Sequence, residues 1–84
     1  MTKTEVQLIR DLSACSLSWG SHQGFVVNMN HLASKDESLE LSDPQKTYLY
    51  YLVYKYRKQI PVSFDNNRTL CLEAKEKIKQ GWNK

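Results

Sequence analysis

The chain has 84 residues, a length that suits one domain with one small hydrophobic core. Hydrophobic residues make up 40% and charged residues 25%, a balance typical of globular rather than disordered proteins. No stretch approaches the ~18–20 apolar residues of a membrane span, and the first residues, MTKTEVQLIRD, lack the apolar run of a signal peptide. We therefore expect a single domain over residues 1–84, located in the cytoplasm, with Cys15 and Cys71 as thiols.

The net charge of +3 is unevenly distributed along the chain. Residues 1–42 contain three basic and five acidic side chains, a balance of −2. Residues 43–84 contain nine basic and four acidic side chains, a balance of +5. A basic half favours polyanions or acidic protein surfaces as partners, although it is also compatible with an ordinary solvated face.

The first helix is predicted to begin at Thr2 or Thr4, because Thr2 and Glu5 have the spacing of a capping box. Its apolar stripe consists of Val6, Ile9, Leu12 and either Leu8 or Cys15.

A second helical segment follows the corner at residues 17–20. Its apolar residues at helical spacing are Trp19, Phe25, Val26, Met29, Leu32 and Ala33. Gly20 and Gly24 have two interpretations: they lie on one face and let another helix approach closely, or the helix begins later, near Ser21.

The third helix has the clearest signals. Ser42, Asp43, Pro44 and Gln45 supply an N-cap, an acidic first turn, an early proline and a capping box. The helix is predicted to run from Asp43 to about Gln59 and to stop before Pro61. Its core face contains Gln45, Leu49, Leu52, Val53, Tyr56 and Ile60.

All five tyrosines lie between Tyr48 and Tyr56. A candidate binding arc beside the core face consists of Lys46, Tyr50, Tyr54, Arg57 and Lys58. Aromatic rings among cations suit single-stranded nucleic acid, whose bases stack on rings while Lys and Arg neutralise phosphates. Tyr and Arg are also enriched at protein interfaces. A third interpretation is that the helix is packed on several sides and uses tyrosines as amphipathic fillers.

The C-terminal part is predicted to fold as a loop and a last helix capped by Asp65, Asn66 or Asn67. Its buried stripe contains Leu70, Cys71, Ala74 and Ile78. A hairpin over residues 62–72, turning at Asn66 and Asn67, is the alternative.

The sequence offers little for catalysis or metal binding. No two of His22, His31, Cys15 and Cys71 have the close spacing of structural zinc ligands. No glycine-rich phosphate loop or nucleophile motif occurs. We expect no enzyme activity, no metal and no cofactor.

The region 25–60 contains the runs FVVNM, LSDPQ (residues 41–45) and LYYLVYKYRKQI. It resembles short helical segments of phage and mobile-element proteins that handle DNA, in which a WxxxF-type helix precedes an LSxxQ cap and a second helix. The cap and the KYRKQ ending (residues 55–59) agree best, whereas Trp19 stands six residues before Phe25. The resemblance covers less than half of the chain. It implies association with helicase, recombination or replication machinery, and equally fits a phage inhibitor of a host factor.

These observations predict an all-α bundle of about four helices with the third, at about 43–59, in the centre. They predict a non-enzymatic binding protein, either an accessory factor in phage or mobile-element DNA metabolism or a protein-interaction module that modulates an enzyme. A protein partner is favoured over nucleic acid, single-stranded DNA is the nucleic acid considered, and no membrane association is expected.

Overall fold

The computed structural model describes residues 1–35, 38 and 40–80, and these residues form five α-helices without a strand. The helices are α1 (Lys3–Ser13), α2 (Gly20–Lys35), α3 (Asp43–Lys55), α4 (Pro61–Asn66) and α5 (Arg68–Lys79). The all-α prediction is confirmed. Residues 62–66 and 68–72 are helical, so α4 stands where a loop was predicted, and no hairpin forms there. Within this part of the chain, no helix combines the length and the apolar character needed to cross a bilayer.

Both predicted capping boxes form. The Thr2 hydroxyl accepts the Glu5 backbone N–H at 3.1 Å, and the Glu5 carboxylate accepts the Thr2 backbone N–H at 2.8 Å. Ser42 and Gln45 repeat this arrangement at the start of α3, at 3.3 and 2.9 Å. Each box supplies acceptors for backbone N–H groups that the first turn of a helix leaves unpaired, so these helix starts are defined locally.

The core lies around α3. The helix α5 packs mainly on α3, whereas α2 packs mainly on α1, and α1 also contacts α3. The central cluster of buried side chains consists of Leu8, Ile9, Leu12, Val26, Met29, Leu41, Leu49, Leu52, Val53, Tyr56 and Cys71. The predicted core faces of α1 and α3 are thus largely correct, with Gln45 and Ile60 half-buried at the edge.

The helix α3 ends at Lys55, four residues before the predicted end near Gln59. Beyond it the backbone tightens, because Gln59 N–H bonds to Tyr56 C=O at 2.9 Å, three residues back. The Gln59 side chain binds both the N–H and the C=O of Ser16, at 2.9 and 3.0 Å. These two hydrogen bonds to the α1–α2 connection favour the end of α3 at Lys55 over a longer helix. Sequence spacing could not predict them, because Gln59 and Ser16 are 43 positions apart.

The structure corrects two expectations about α2. The sequence spacing predicts Trp19 in the apolar stripe of α2, but in the structure Trp19 precedes the helix and is 62% exposed. Both Gly20 and Gly24 lie in the helix, yet a Cβ atom at either would meet nothing within 4 Å. Within the described part of the chain, no other helix therefore approaches α2 at these glycines.

The last two helices pack on one side of α3. Pro61 stands in the first turn of α4, where a missing N–H costs little. In α5, Cys71 and Ala74 are buried as predicted, but Leu70 is 46% exposed and Ile78 only half-buried. The buried stripe of α5 is consequently narrower than the sequence spacing indicates.

The complete burial of Leu52 makes the core testable by substitution. We expect Leu52→Ala to lower the free energy of unfolding by about 2–5 kcal/mol, because a cavity remains where no solvent enters. Urea or thermal unfolding followed by circular dichroism measures this loss. The control is Val62→Ala, at a position 70% exposed, which should change the free energy by less than about 0.5 kcal/mol. Equal effects of both substitutions would contradict the placement of the core.

Candidate functional site

The structure divides the predicted binding arc into two groups. Tyr54 and Arg57 come together with side chains of α4 and α5. Lys46 and Tyr50 instead line a groove between α3 and α5. Lys58 is exposed in the turn that follows α3. The five residues therefore do not form one continuous site on α3 alone.

Tyr54 is the centre of the first group. The Arg57 guanidinium carbon lies 4.4 Å from the centroid of its ring, and the Lys75 ammonium nitrogen lies 5.6 Å from it. Both distances fall within the ~6 Å range of cation–π attraction. Arg57 also donates from Nη1 to the Tyr54 carbonyl oxygen at 3.0 Å, so its guanidinium is tied to the end of α3.

Phe64 and Arg68 extend this group. The Phe64 ring centroid lies 6.2 Å from that of Tyr54, and the Arg68 guanidinium carbon lies 5.5 Å from the Phe64 centroid. Tyr54, Arg57, Phe64, Arg68 and Lys75 together are called the basic–aromatic surface below. Its three cations come from two parts of the chain, and its two half-buried rings join them into one network.

Two acidic side chains partly neutralise the positive charge of this surface. Asp65 lies 3.2 Å from Arg68, and Glu76 lies 3.9 Å from Lys75. The Arg68–Asp65 pair is exposed on both sides, so water and salt screen it and it contributes little to stability. Arg68 can consequently exchange Asp65 for another anion at small cost.

The groove between α3 and α5 encloses a cavity of about 240 Å³. Its lining residues are Asp43, Lys46, Thr47, Tyr50, Leu70, Glu73, Ala74 and Lys77. Burial, with smaller contributions from Glu5 and Cys71, raises the pKa of Tyr50 above its ordinary value, so the phenol is neutral at physiological pH. This groove mixes both signs of charge and has no marked preference for anions.

The tyrosines act mainly as packing groups. Tyr50 and Tyr54 are half-buried and rest on the core cluster, as do Tyr48 and Tyr51 on the opposite flank. Tyr48 packs edge-on against Phe25 with ring centroids 4.7 Å apart. This supports the interpretation that α3 is wrapped by amphipathic rings, and it means that Tyr54 is not an open stacking platform.

The Tyr56 hydroxyl links α3 to the start of α2. Its oxygen accepts the Ser18 backbone N–H at 2.9 Å and lies 2.8 Å from Nδ1 of the buried His22. The Tyr56 oxygen already accepts a hydrogen bond from the Ser18 N–H. If the Tyr56 hydroxyl donates its own proton to Nδ1 of His22, all three groups have a hydrogen-bond partner. That arrangement requires a neutral imidazole. Burial and the nearby Lys55 ammonium lower the pKa of His22, in agreement with it.

Neither cysteine is suited to nucleophilic chemistry. Burial raises the pKa of the Cys71 thiol to about 11. Burial and the Asp11 carboxylate also raise the pKa of Cys15. Both thiols are therefore protonated at neutral pH, and it is the thiolate that reacts. Within residues 1–35, 38 and 40–80, no three His, Cys, Asp or Glu side chains lie close enough together to hold a metal ion.

Sequence reasoning missed three members of the basic–aromatic surface: Phe64, Arg68 and Lys75. Arg68 and Lys75 are seven residues apart, which places them on one side of α5, two turns apart. That spacing was a usable signal. The approach of Phe64 to Tyr54 could not be predicted from sequence spacing, because it depends on how α4 packs against α3.

Comparisons of this chain with protein-family models, with curated proteins and with solved structures found no match.

The His22–Tyr56 hydrogen bond predicts acid sensitivity. The unfolded chain takes up a proton near the ordinary histidine pKa of 6.5, whereas the folded protein takes it up only at lower pH. The free energy of unfolding should therefore be highest above pH 6.5, decrease as the pH falls through that value, and level off below the folded-state pKa. Urea unfolding at several pH values between roughly 5 and 8 measures the slope.

A matched pair of variants assigns the slope to its residue. His22→Gln should reduce the pH dependence in this range, because it removes the group whose pKa differs between the two states. His31→Gln, on the exposed side of α2, should leave it unchanged. A slope that persists in His22→Gln and disappears in His31→Gln would refute the assignment.

Proposed function

We propose that this protein binds single-stranded nucleic acid through the basic–aromatic surface and catalyses no reaction on it. The observation that carries the proposal is the arrangement of Arg57, Arg68 and Lys75 around the two joined rings of Tyr54 and Phe64. The guanidinium planes of Arg57 and Arg68 can stack on base faces and all three cations can neutralise phosphates, which are the two contacts that a flexible strand offers.

The rings hold the cations in place. A long basic side chain in water loses rotamer freedom when it binds an anion, and that loss weakens binding. Here Arg57 and Lys75 already lie over Tyr54, so part of the ordering has occurred in the free protein. Arg57 and Arg68 also have planar guanidinium groups, on which bases can stack while the charge neutralises phosphates.

The cellular role that we propose is accessory to DNA metabolism in a phage or mobile element, in the cytoplasm of its host. Its support is the resemblance of the LSDPQ and KYRKQ runs to helical segments of DNA-handling proteins, together with the +5 balance of residues 43–84. The KYRKQ run contains Arg57, which belongs to the basic–aromatic surface.

A second candidate is a protein-interaction module that modulates an enzyme through the same surface. The observation that favours it is the presence of Asp65 and Glu76 beside Arg68 and Lys75. These carboxylates repel a phosphate backbone, whereas a protein partner with both signs of charge can pair with them. Tyr and Arg are also common anchors of protein interfaces.

Salt dependence distinguishes the two candidates. We expect a fluorescently labelled oligothymidylate of about 20 nucleotides to bind at low salt, with an affinity that falls steeply as salt rises. Arg68→Gln and Lys75→Gln should each weaken binding and reduce the slope of log affinity against log salt by about 0.7 per lost phosphate contact. Fluorescence anisotropy titrations at several salt concentrations measure both quantities.

The matched control is Lys35→Gln, which removes a cation from the end of α2 without touching the basic–aromatic surface. It should leave the salt slope unchanged. If the oligonucleotide fails to bind at low salt, or if all three variants behave alike, nucleic-acid binding at this surface is wrong. The protein-interaction candidate would then be tested with the same variants against peptides that contain both acidic and basic side chains.

A further inference from the structure

Charge is absent from a long part of the chain. Between Asp11 and Lys35, residues 12–34 contain no Asp, Glu, Lys or Arg. All 21 charged residues, 12 basic and 9 acidic, lie in the remaining part of the sequence. Residues 12–34, called the charge-free segment below, comprise the end of α1, the connection to α2 and nearly all of α2.

Part of this segment is exposed to solvent. Trp19 is 62% exposed and Val27 is 68% exposed, which makes them two of the most exposed large apolar side chains in the structure. On the same helix, Gln23, Asn30 and His31 are also exposed, and none of these positions is Asp, Glu, Lys or Arg. A helix face in water normally carries charged side chains, so an uncharged one with exposed apolar residues indicates a contact surface.

A groove lies beside Val27. It encloses a cavity of about 470 Å³ between α2 and the chain that follows α1. Its lining residues are Ser13, Cys15, Ser16, Leu17, Gln23, Val26, Val27 and Asn30, all within the charge-free segment. The segment therefore presents a projecting apolar side chain and a concave, uncharged surface next to each other.

We propose that the charge-free segment is the contact surface between two copies of this chain, with the α2 helices antiparallel. Each copy carries a net charge of +3, so two copies repel each other through most orientations. The charge-free segment itself brings no like charges together, and Lys55, which lies near His22, is a cation at its edge. An interface with two-fold symmetry also needs a patch that complements itself, and an exposed apolar side chain on the axis, such as Val27, meets its own copy there.

The antiparallel orientation follows from the position of the flanking charge. Val27 lies near the middle of α2 (Gly20–Lys35), so a two-fold axis there places the Val27 side chains of both copies together. The two Lys35 ammonium groups are then separated by roughly 24 Å, the length of a 16-residue helix. Each lies near the Trp19 end of the other copy, where cation–π attraction is available. Parallel helices would place both lysines side by side.

The size of the patch makes this a weak dimer. The charge-free segment has 23 positions, and several of them, including Leu12, Met29 and Ala33, are buried within the chain. The remainder is smaller than the ~20–30 residues that each partner contributes to a standard interface. Dissociation in roughly the micromolar range is therefore expected.

Sedimentation velocity on the full chain, from about 5 µM to about 500 µM, tests the proposal. We expect the sedimentation coefficient to rise from the monomer toward the dimer value as concentration increases. Val27→Lys places two like charges at the two-fold axis and should weaken dimerisation more than about tenfold. Val62→Lys makes the same change at a position 70% exposed on α4, and it should dimerise like the parent.

Unfolding midpoints of both variants should match the parent, since neither valine is part of the core. A parent chain that stays monomeric up to the highest concentration would overturn the proposal. So would a dimer that Val27→Lys leaves intact, or one that both substitutions weaken equally. Val27→Cys should form a disulfide-linked dimer under mild oxidation more readily than the parent and Val62→Cys, because the two-fold axis brings both copies of residue 27 together. The orientation is checked by Lys35→Cys, which should crosslink more slowly than Val27→Cys, because antiparallel helices hold the two copies of residue 35 roughly 24 Å apart. A Val27→Cys chain that crosslinks no faster than Val62→Cys would refute the contact, and a Lys35→Cys chain that crosslinks as fast as Val27→Cys would refute the antiparallel orientation.

Discussion

The burial of α3 is the constraint on which the rest of this structure depends. Leu49, Leu52 and Val53 are completely buried. Water is excluded from them because α1, α5 and an aromatic ring of α2 all pack against α3. A helix covered on so many sides has no face left for a conventional row of charged side chains. Its border positions must be apolar toward the core and polar toward water, a combination that tyrosine provides.

This packing ties the basic–aromatic surface to the stability of the fold. Tyr54 packs against the core cluster, and the cationic groups of Arg57 and Lys75 lie over its ring. Removing the ring would therefore disturb packing and binding together. Removing Arg68, whose side chain is mostly exposed, changes the charge of the surface while leaving the core contacts in place. The cations are for this reason the informative positions, although the tyrosines are the conspicuous feature of the sequence.

Local signals predicted the starts of α1 and α3 and the core face of α3, because capping boxes and helical periodicity involve residues three to seven apart. The end of α3 and the exposure of Trp19 could not be predicted in the same way. Gln59 bonds to Ser16, 43 positions away, and the Trp19 ring precedes the helix to which its spacing assigned it. The candidate site shows the same limit: two of the five residues of the predicted arc, Tyr54 and Arg57, come together with side chains of α4 and α5, and the pairing of Phe64 with Tyr54 depends on packing alone.

The distribution of charge connects the two proposals. The acidic and basic side chains lie outside residues 12–34, and the basic–aromatic surface is built wholly from α3, α4, α5 and the turn between α3 and α4. The two proposed contact surfaces therefore use different residues, and one can be occupied without displacing the other. A dimer formed through α2 would carry two basic–aromatic surfaces. A strand long enough to reach both would bind the second as an intramolecular event, so its affinity would exceed that of a short strand without any new contact. A weak dimer would thus make nucleic-acid binding depend on protein concentration, and each surface can be altered separately to test this dependence.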